Sequence, residues 1–242
     1  MKKYLLLWPL LALAAPVAAQ HTEIQARAGV GLSRFGGPDA QSTSFINYTD
    51  FPGASYTNSP YGSRWGVGVA LGGRAERVSA RNGLLAFDLG YEWLQSRTNI
   101  TALSGAIPIY SSYVGSYSAD GSTALQTHNL TGFLGFGHRF GAGKLNVDVL
   151  AGPEVAYVFN FREKGSGSFD YNGSATWSTD VDHRAFNRFD ARLRADATVW
   201  YQRLGFNASY SHGLLNYQGG LVGGSRQVYA RVLRLGLAYR LR

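Results

Sequence analysis

Residues Gln227–Arg242, QVYARVLRLGLAYRLR, interleave two kinds of side chain. Tyr229, Leu233, Leu235, Leu237, Tyr239 and Leu241 are large and apolar or aromatic, whereas Arg234, Gly236, Ala238 and Arg240 are charged or small. Successive side chains on a strand point to opposite faces, so this stretch predicts a strand with one oily face and one face that tolerates arginine. It runs to the last residue of the sequence. A long alternating strand in this position suits a transmembrane β-barrel that closes its last strand onto its first.

The N-terminus predicts export. Lys2 and Lys3 precede an apolar run from Leu5 to Ala15, and Val17-Ala18-Ala19 offers small residues for a signal peptidase, which places cleavage before Gln20. The apolar run is too short to span hydrocarbon and contains Pro9, with Pro16 just after it, so a signal peptide over residues 1–19 is expected instead of an anchor. Residues 20–242 then form one domain. The sequence has no cysteine, which excludes a lipoprotein anchor, disulfides and thiolate metal sites. No later segment reaches the roughly 18 apolar residues of a spanning helix. A membrane protein without such a segment must be a closed barrel, because lipid cannot satisfy open backbone groups.

Period-2 alternation marks eight segments: Glu23–Arg34, Arg64–Gly73, Gly83–Ser96, Thr127–Phe140, Lys144–Phe159, Asn187–Tyr201, Leu204–Ser211 and Gln227–Arg242. Their connections alternate. Phe35–Ser63, Arg97–Ala124 and Arg162–Phe186 are long, while Ala75–Asn82, Gly141–Gly143 and Gln202-Arg203 are short. This is the layout of an all-β, eight-stranded antiparallel transmembrane barrel with long extracellular loops and short periplasmic turns. A soluble lipocalin-like barrel shares the same period with the apolar face inside. Size favours the membrane form, because an eight-stranded interior is only just filled by side chains and cannot take so many Trp, Tyr, Phe and Leu.

With the apolar face outward, Arg27, Asp88, Glu92, Arg139, Asp148, Glu154, Asp190, Arg192, Arg194, Asp196, Arg234 and Arg240 fall on the inner face. Enclosed charges must pair or cost several kcal/mol per ion. A salt-bridged, largely plugged lumen is therefore expected, centred on Asp190 to Asp196, with a selectivity filter or proton path as the alternative. Trp65, Tyr91, Trp93, Tyr157, Tyr201, Tyr210 and Tyr239 are the candidate aromatics at the lipid interface.

Chemistry has little footing. The five histidines show no zinc spacing, so no metal or other cofactor is expected. Ser211 and His212 are adjacent on a strand and face opposite ways, so they make no nucleophile–base pair, and catalysis is not expected. The net charge of +8 is scattered, which argues against nucleic acid and for attraction to outer-membrane lipid and lipopolysaccharide. The long connections are rich in Tyr, Ser, Asn, Gly and Thr. That composition fits either solvated loops or an adaptable surface for a protein or glycan ligand.

Four pieces carry a family resemblance: Leu150–Tyr157 (LAGPEVAY), Asp190–Ala195, Tyr210–Asn216 (YSHGLLN) and Leu235–Leu241 (LGLAYRL). With these the chain resembles the PorT-like, porin-family group of small outer-membrane β-barrel domain proteins. The resemblance implies the fold and the location, with no shared catalytic residue. It also implies the barrel-assembly machinery as a partner, although Leu241-Arg242 follow Tyr239 where relatives commonly end on an aromatic. Some relatives assist secretion. Fold and composition fit a structural or surface-interaction barrel, a narrow channel for small solutes, a secretion accessory or a lipid-modifying enzyme.

Overall fold

The computed structural model describes residues 21–49, 54–106, 114–142, 144–170, 174–183, 188–219 and 226–241, and the expected signal peptide lies outside them. Among these residues the strands are β1 (His21–Gly36), β2 (Thr43–Asn47), β3 (Tyr56–Thr57), β4 (Arg64–Val78), β5 (Gly83–Ala106), β6 (Val114–Ala142), β7 (Leu145–Asp170), β8 (Ser174–Asp182), β9 (Phe189–Tyr201), β10 (Leu204–Gly213) and β11 (Tyr229–Arg240). Eight of them close a ring in the order β1-β4-β5-β6-β7-β9-β10-β11, each antiparallel to its neighbours. The closing seam pairs β1 with β11 from Gln25↔Arg240 to Gly36↔Tyr229. A closed ring leaves no open edge, the condition for carrying strands through hydrocarbon.

The two faces differ as lipid requires. Leu71, Phe87, Leu89, Leu130, Phe136, Leu193, Phe206 and Leu237 all point outward and are exposed. Glu76, Glu154, Asp190 and Arg192 point inward and are buried. On β1 the outward positions run from Ile24 through Ala26, Ala28, Val30 and Leu32 to Arg34. Ten residues at about 3.3 Å, tilted by about 40°, rise about 25 Å, the height of an outer-membrane apolar band.

The inner wall is lined with small residues for a geometric reason. A small ring is sharply curved, so inward Cβ atoms crowd the neighbouring strand. A Cβ on Gly68 would lie 2.0 Å from the carbonyl oxygen of Trp93, and one on Gly137 would lie 1.8 Å from that of Val149.

The structure extends several elements beyond the alternation. β4 continues past Gly73 to Val78, so the link expected at Ala75–Asn82 shrinks to residues 79–82. Long stretches of the expected loops Arg97–Ala124 and Arg162–Phe186 are strand. β5 and β6 stay paired as far as Ala106↔Val114, and β7 pairs with β8 from Arg162↔Asp182 to Asp170↔Ser174. The first connection adds β2, parallel to β5, and β3 beside it. The resulting extracellular sheet encloses its own apolar core of Ile46, Ile100, Leu103, Phe169 and Trp177.

Two of the periplasmic turns hold non-glycine residues at positive φ, Asn82 at 60° and Gln202 at 56°. Asparagine tolerates this region, whereas glutamine at that φ costs about 1–2 kcal/mol. Gln202→Gly is expected to raise barrel stability by about 1 kcal/mol, read from urea unfolding in lipid vesicles. Leu89→Arg, near mid-membrane on the lipid face, is expected to cost about 2–4 kcal/mol in the same assay. A Leu89→Arg variant as stable as the parent would place that face away from lipid.

Candidate functional site

Among the described residues the interior holds seven arginines (Arg27, Arg74, Arg139, Arg192, Arg194, Arg234 and Arg240) and eight carboxylates (Glu23, Glu76, Asp88, Glu92, Asp148, Glu154, Asp190 and Asp196), joined by ion pairs. The near balance follows from enclosure, since an uncompensated charge in so narrow a space would lose hydration with nothing in return. The network forms three levels.

At the periplasmic level Arg139 is the hub. It donates to Asp148 at 2.6 Å, to Glu23 at 2.8 Å and to Glu76 at 2.9 Å. Trp200 donates its indole N–H to Asp148 at 2.6 Å, and its ring lies 4.0 Å beneath the Arg240 guanidinium. Val78, Leu84, Ala86, Phe133 and Leu150 pack as an apolar cluster at this end.

In the middle, Arg74 grips Asp88 with two bonds of 2.6 and 2.8 Å and reaches Asp196 at 3.2 Å. Arg27 crosses from β1 to Asp196 at 3.2 Å and to the Thr198 hydroxyl at 2.8 Å. Arg194 donates to Asp196 at 2.5 Å and lies 4.6 Å over the Phe133 ring.

At the extracellular level Arg234 donates to Glu92, to Glu154 at 2.9 Å and to the Ser211 hydroxyl at 2.7 Å. Arg192 donates to Asp190 at 2.5 Å and to Glu154 at 3.2 Å. Tyr217, from the segment after β10, donates its hydroxyl to Asp190 at 3.0 Å.

Tyr217 also belongs to a cap. Phe35, Tyr61, Leu125, Val158, Phe161 and Val228 pack with it across the mouth. Phe35 meets Tyr61 edge-on at 5.1 Å and Tyr217 at 5.3 Å. Burial pushes the Tyr61 phenol up to about 12 and the Tyr217 phenol upward too, so both stay neutral at neutral pH and Tyr217 keeps the proton it donates to Asp190. Above the cap, buried Glu163 accepts the Thr57 hydroxyl at 2.6 Å, the Thr57 backbone N–H at 2.8 Å and His183 at 2.7 Å. This ties β3 to β7. On the outer surface Arg162 donates to Asp180 at 2.6 and 2.9 Å and holds its carboxyl below the usual carboxylate range.

All twelve charged positions singled out from the alternation stand in this interior network, and the structure adds Glu23, Arg74 and Glu76. Arg74 and Glu76 continue the small-residue register of Gly66, Gly68, Ala70 and Gly72, so the signal was present beyond Gly73. The cap residues come from two connections and three strands, and no local pattern joins them. Of the seven aromatics expected at the lipid interface, Trp65, Tyr201, Tyr210 and Tyr239 are exposed on the outer wall, and Tyr91, Trp93 and Tyr157 are half-buried there. The Tyr91 hydroxyl is 2.7 Å from Nδ1 of His128.

Ser211 is buried in the lumen and His212 is exposed on the outer wall. Among the described residues no serine hydrogen-bonds a histidine, and no cluster of His, Cys, Asp and Glu could hold a metal. Between the middle and upper levels lies a cavity of about 60 Å³ lined by Arg27, Asp88, Glu92, Thr131, Arg194, Asn207 and Arg234. It has room for a few water molecules and sits among groups that bind them.

Arg234→Met is expected to destabilise the barrel by about 3–5 kcal/mol, because Glu92 and Glu154 lose a shared buried partner. Arg162→Met, which breaks only an exposed pair, is expected to change little. Urea unfolding in vesicles compares the two.

Solved structures of small barrels are similar at low identity. The attachment invasion locus protein Ail of Yersinia pestis, crystallised with the heparin analogue sucrose octasulfate, is 15% identical with a TM-score of 0.36, over 91% of this chain and 99% of that one. Neisserial surface protein A is 11% identical with a TM-score of 0.36, over 93% and 100%. No curated protein matches significantly. The family described as outer membrane protein beta-barrel domain matches residues 18–218. With its closed ring and lipid-facing apolar wall, this chain belongs to that family, and its place is the outer membrane.

Proposed function

We propose that the protein is a non-conducting outer-membrane barrel that presents a rigid extracellular surface to a protein or glycan ligand. One observation carries this reading: the arginine–carboxylate network and the aromatic cap occupy the lumen in series. An ion would have to break pairs at each of three levels, and each broken pair leaves a buried charge uncompensated, at a cost of several kcal/mol. The extension above the cap supports the second half. Its own apolar core and the Thr57–Glu163 tie make it an ordered platform, and its tyrosines and small polar residues suit contact surfaces.

Export by a signal peptide over residues 1–19 and insertion by the barrel-assembly machinery belong to this reading. Contact with lipopolysaccharide in the outer leaflet belongs to it too. The separation of Ser211 from His212 gives the lipid-modifying alternative no nucleophile–base pair. The PorT-like resemblance, which brings in a secretion role, contributes no residue to carry one.

A narrow channel is the second reading, and the water-sized cavity beside Arg27 and Arg234 is the observation that favours it. Planar-bilayer recording separates the two. The wild-type barrel is expected to stay silent, and sustained unitary openings would establish the channel.

A further inference from the structure

The outer wall carries arginines in an unusual arrangement. Arg34 on β1 and Arg231 on β11 are direct cross-strand partners on the outer face, and Arg97 stands on the outer face of β5 at the same rim, beyond Trp65 of β4. Like charges directly opposite each other on a sheet repel at a Cβ separation of about 5 Å, so the Arg34–Arg231 pair is a cost to the folded barrel. Within the barrel every arginine has a carboxylate. Here, among the described residues, none of the three arginines forms an ion pair with one.

Height gives the arrangement its meaning. Each arginine follows the last large apolar or aromatic residue of its strand's lipid-facing series: Leu32 before Arg34, Leu233 before Arg231, and Trp93 then Gln95 before Arg97. They therefore lie where the acyl chains of the outer leaflet end and its headgroups begin. The side chains are also held in place. Arg34 stacks 4.8 Å over the Trp65 ring. Arg231 donates to the carbonyls of Gly213 at 3.2 Å and Ala230 at 3.0 Å. The opposite arc differs, since Arg162 and Lys164 on β7 are partnered by Asp180.

We infer that Arg34, Arg231 and Arg97 form a docking site on the barrel wall for the phosphorylated glycolipid headgroup of the outer leaflet. Phosphate oxygens between the paired guanidiniums turn the like-charge repulsion into charge-assisted hydrogen bonding, for which the planar fork of arginine is suited. The Trp65 ring and the apolar side chains below it receive the sugar edge and the acyl chains. This site rests on the lipid contact proposed above and gives it a location.

The test uses the folded barrel in phosphatidylcholine nanodiscs containing bisphosphorylated lipid A, with lipid A retained per barrel as the readout. Wild type is expected to enrich lipid A. The double variant Arg34→Gln/Arg231→Gln is expected to bind about 30-fold more weakly, and Arg97→Gln, which breaks no ion pair, about 5-fold. The control Arg162→Gln/Lys164→Gln removes the same charge from the opposite arc and is expected to bind like wild type. Equal losses in the control and the double variant would overturn the site while leaving lipid contact in place. Equal retention of dephosphorylated lipid A would overturn phosphate recognition. No enrichment by wild type would overturn both the site and the lipid contact.

Discussion

The constraint behind this structure is that no backbone N–H or C=O can go unpaired in hydrocarbon. Pairing β1 with β11 satisfies the last open edges, and from that closure the rest follows. A closed ring has one face toward lipid and one toward a narrow interior. Alternation assigns every second residue to each face, so the outer set must be apolar and the inner set must fit a tight cylinder. Glycine and alanine line the inner wall where neighbouring strands approach closely, and the remaining space goes to arginines and carboxylates.

Those charges do more than fill volume. Arg234 on β11 bonds to Glu92 on β5 and Glu154 on β7, and Arg139 on β6 bonds to Glu23 on β1 and Glu76 on β4. The network thus ties walls that are not neighbours in the sheet. A one-residue slip of any strand would turn its charges into lipid and its leucines into the lumen, so these pairs and the lipid boundary enforce the same register. Replacing such a network by apolar side chains can leave net stability unchanged. Its physical consequence is mutual specification of the strands.

Outside the membrane the logic changes. The extension of β5, β6, β7 and β8 is water-exposed and rich in Ser, Thr and Gly, yet it continues the ladders begun in the wall. Its stability comes from a few apolar side chains, Ile46, Ile100, Leu103, Phe169 and Trp177, which sit far apart in sequence. The outer rim is a third environment. There Arg34 and Arg231 face each other on the lipid side without a carboxylate, in contrast to every interior arginine.

Alternation alone determined the face of each wall residue, the number of crossings and the inward set from Arg27 to Arg240, because lipid imposes one rule on every strand. It stopped short where the rule weakens. The register beyond Gly73 hid Arg74 and Glu76, since glycine and alanine mark the inner face only faintly. The polar extension of β5 to β8 gives no period, because both of its faces tolerate polar residues. Only the tertiary structure decided which charge meets which, how Phe35, Tyr61 and Tyr217 gather over the mouth, and which arginines stand opposite each other at the rim. Those outcomes depend on the barrel's curvature and on the stagger between strands, which bring together residues up to about two hundred positions apart.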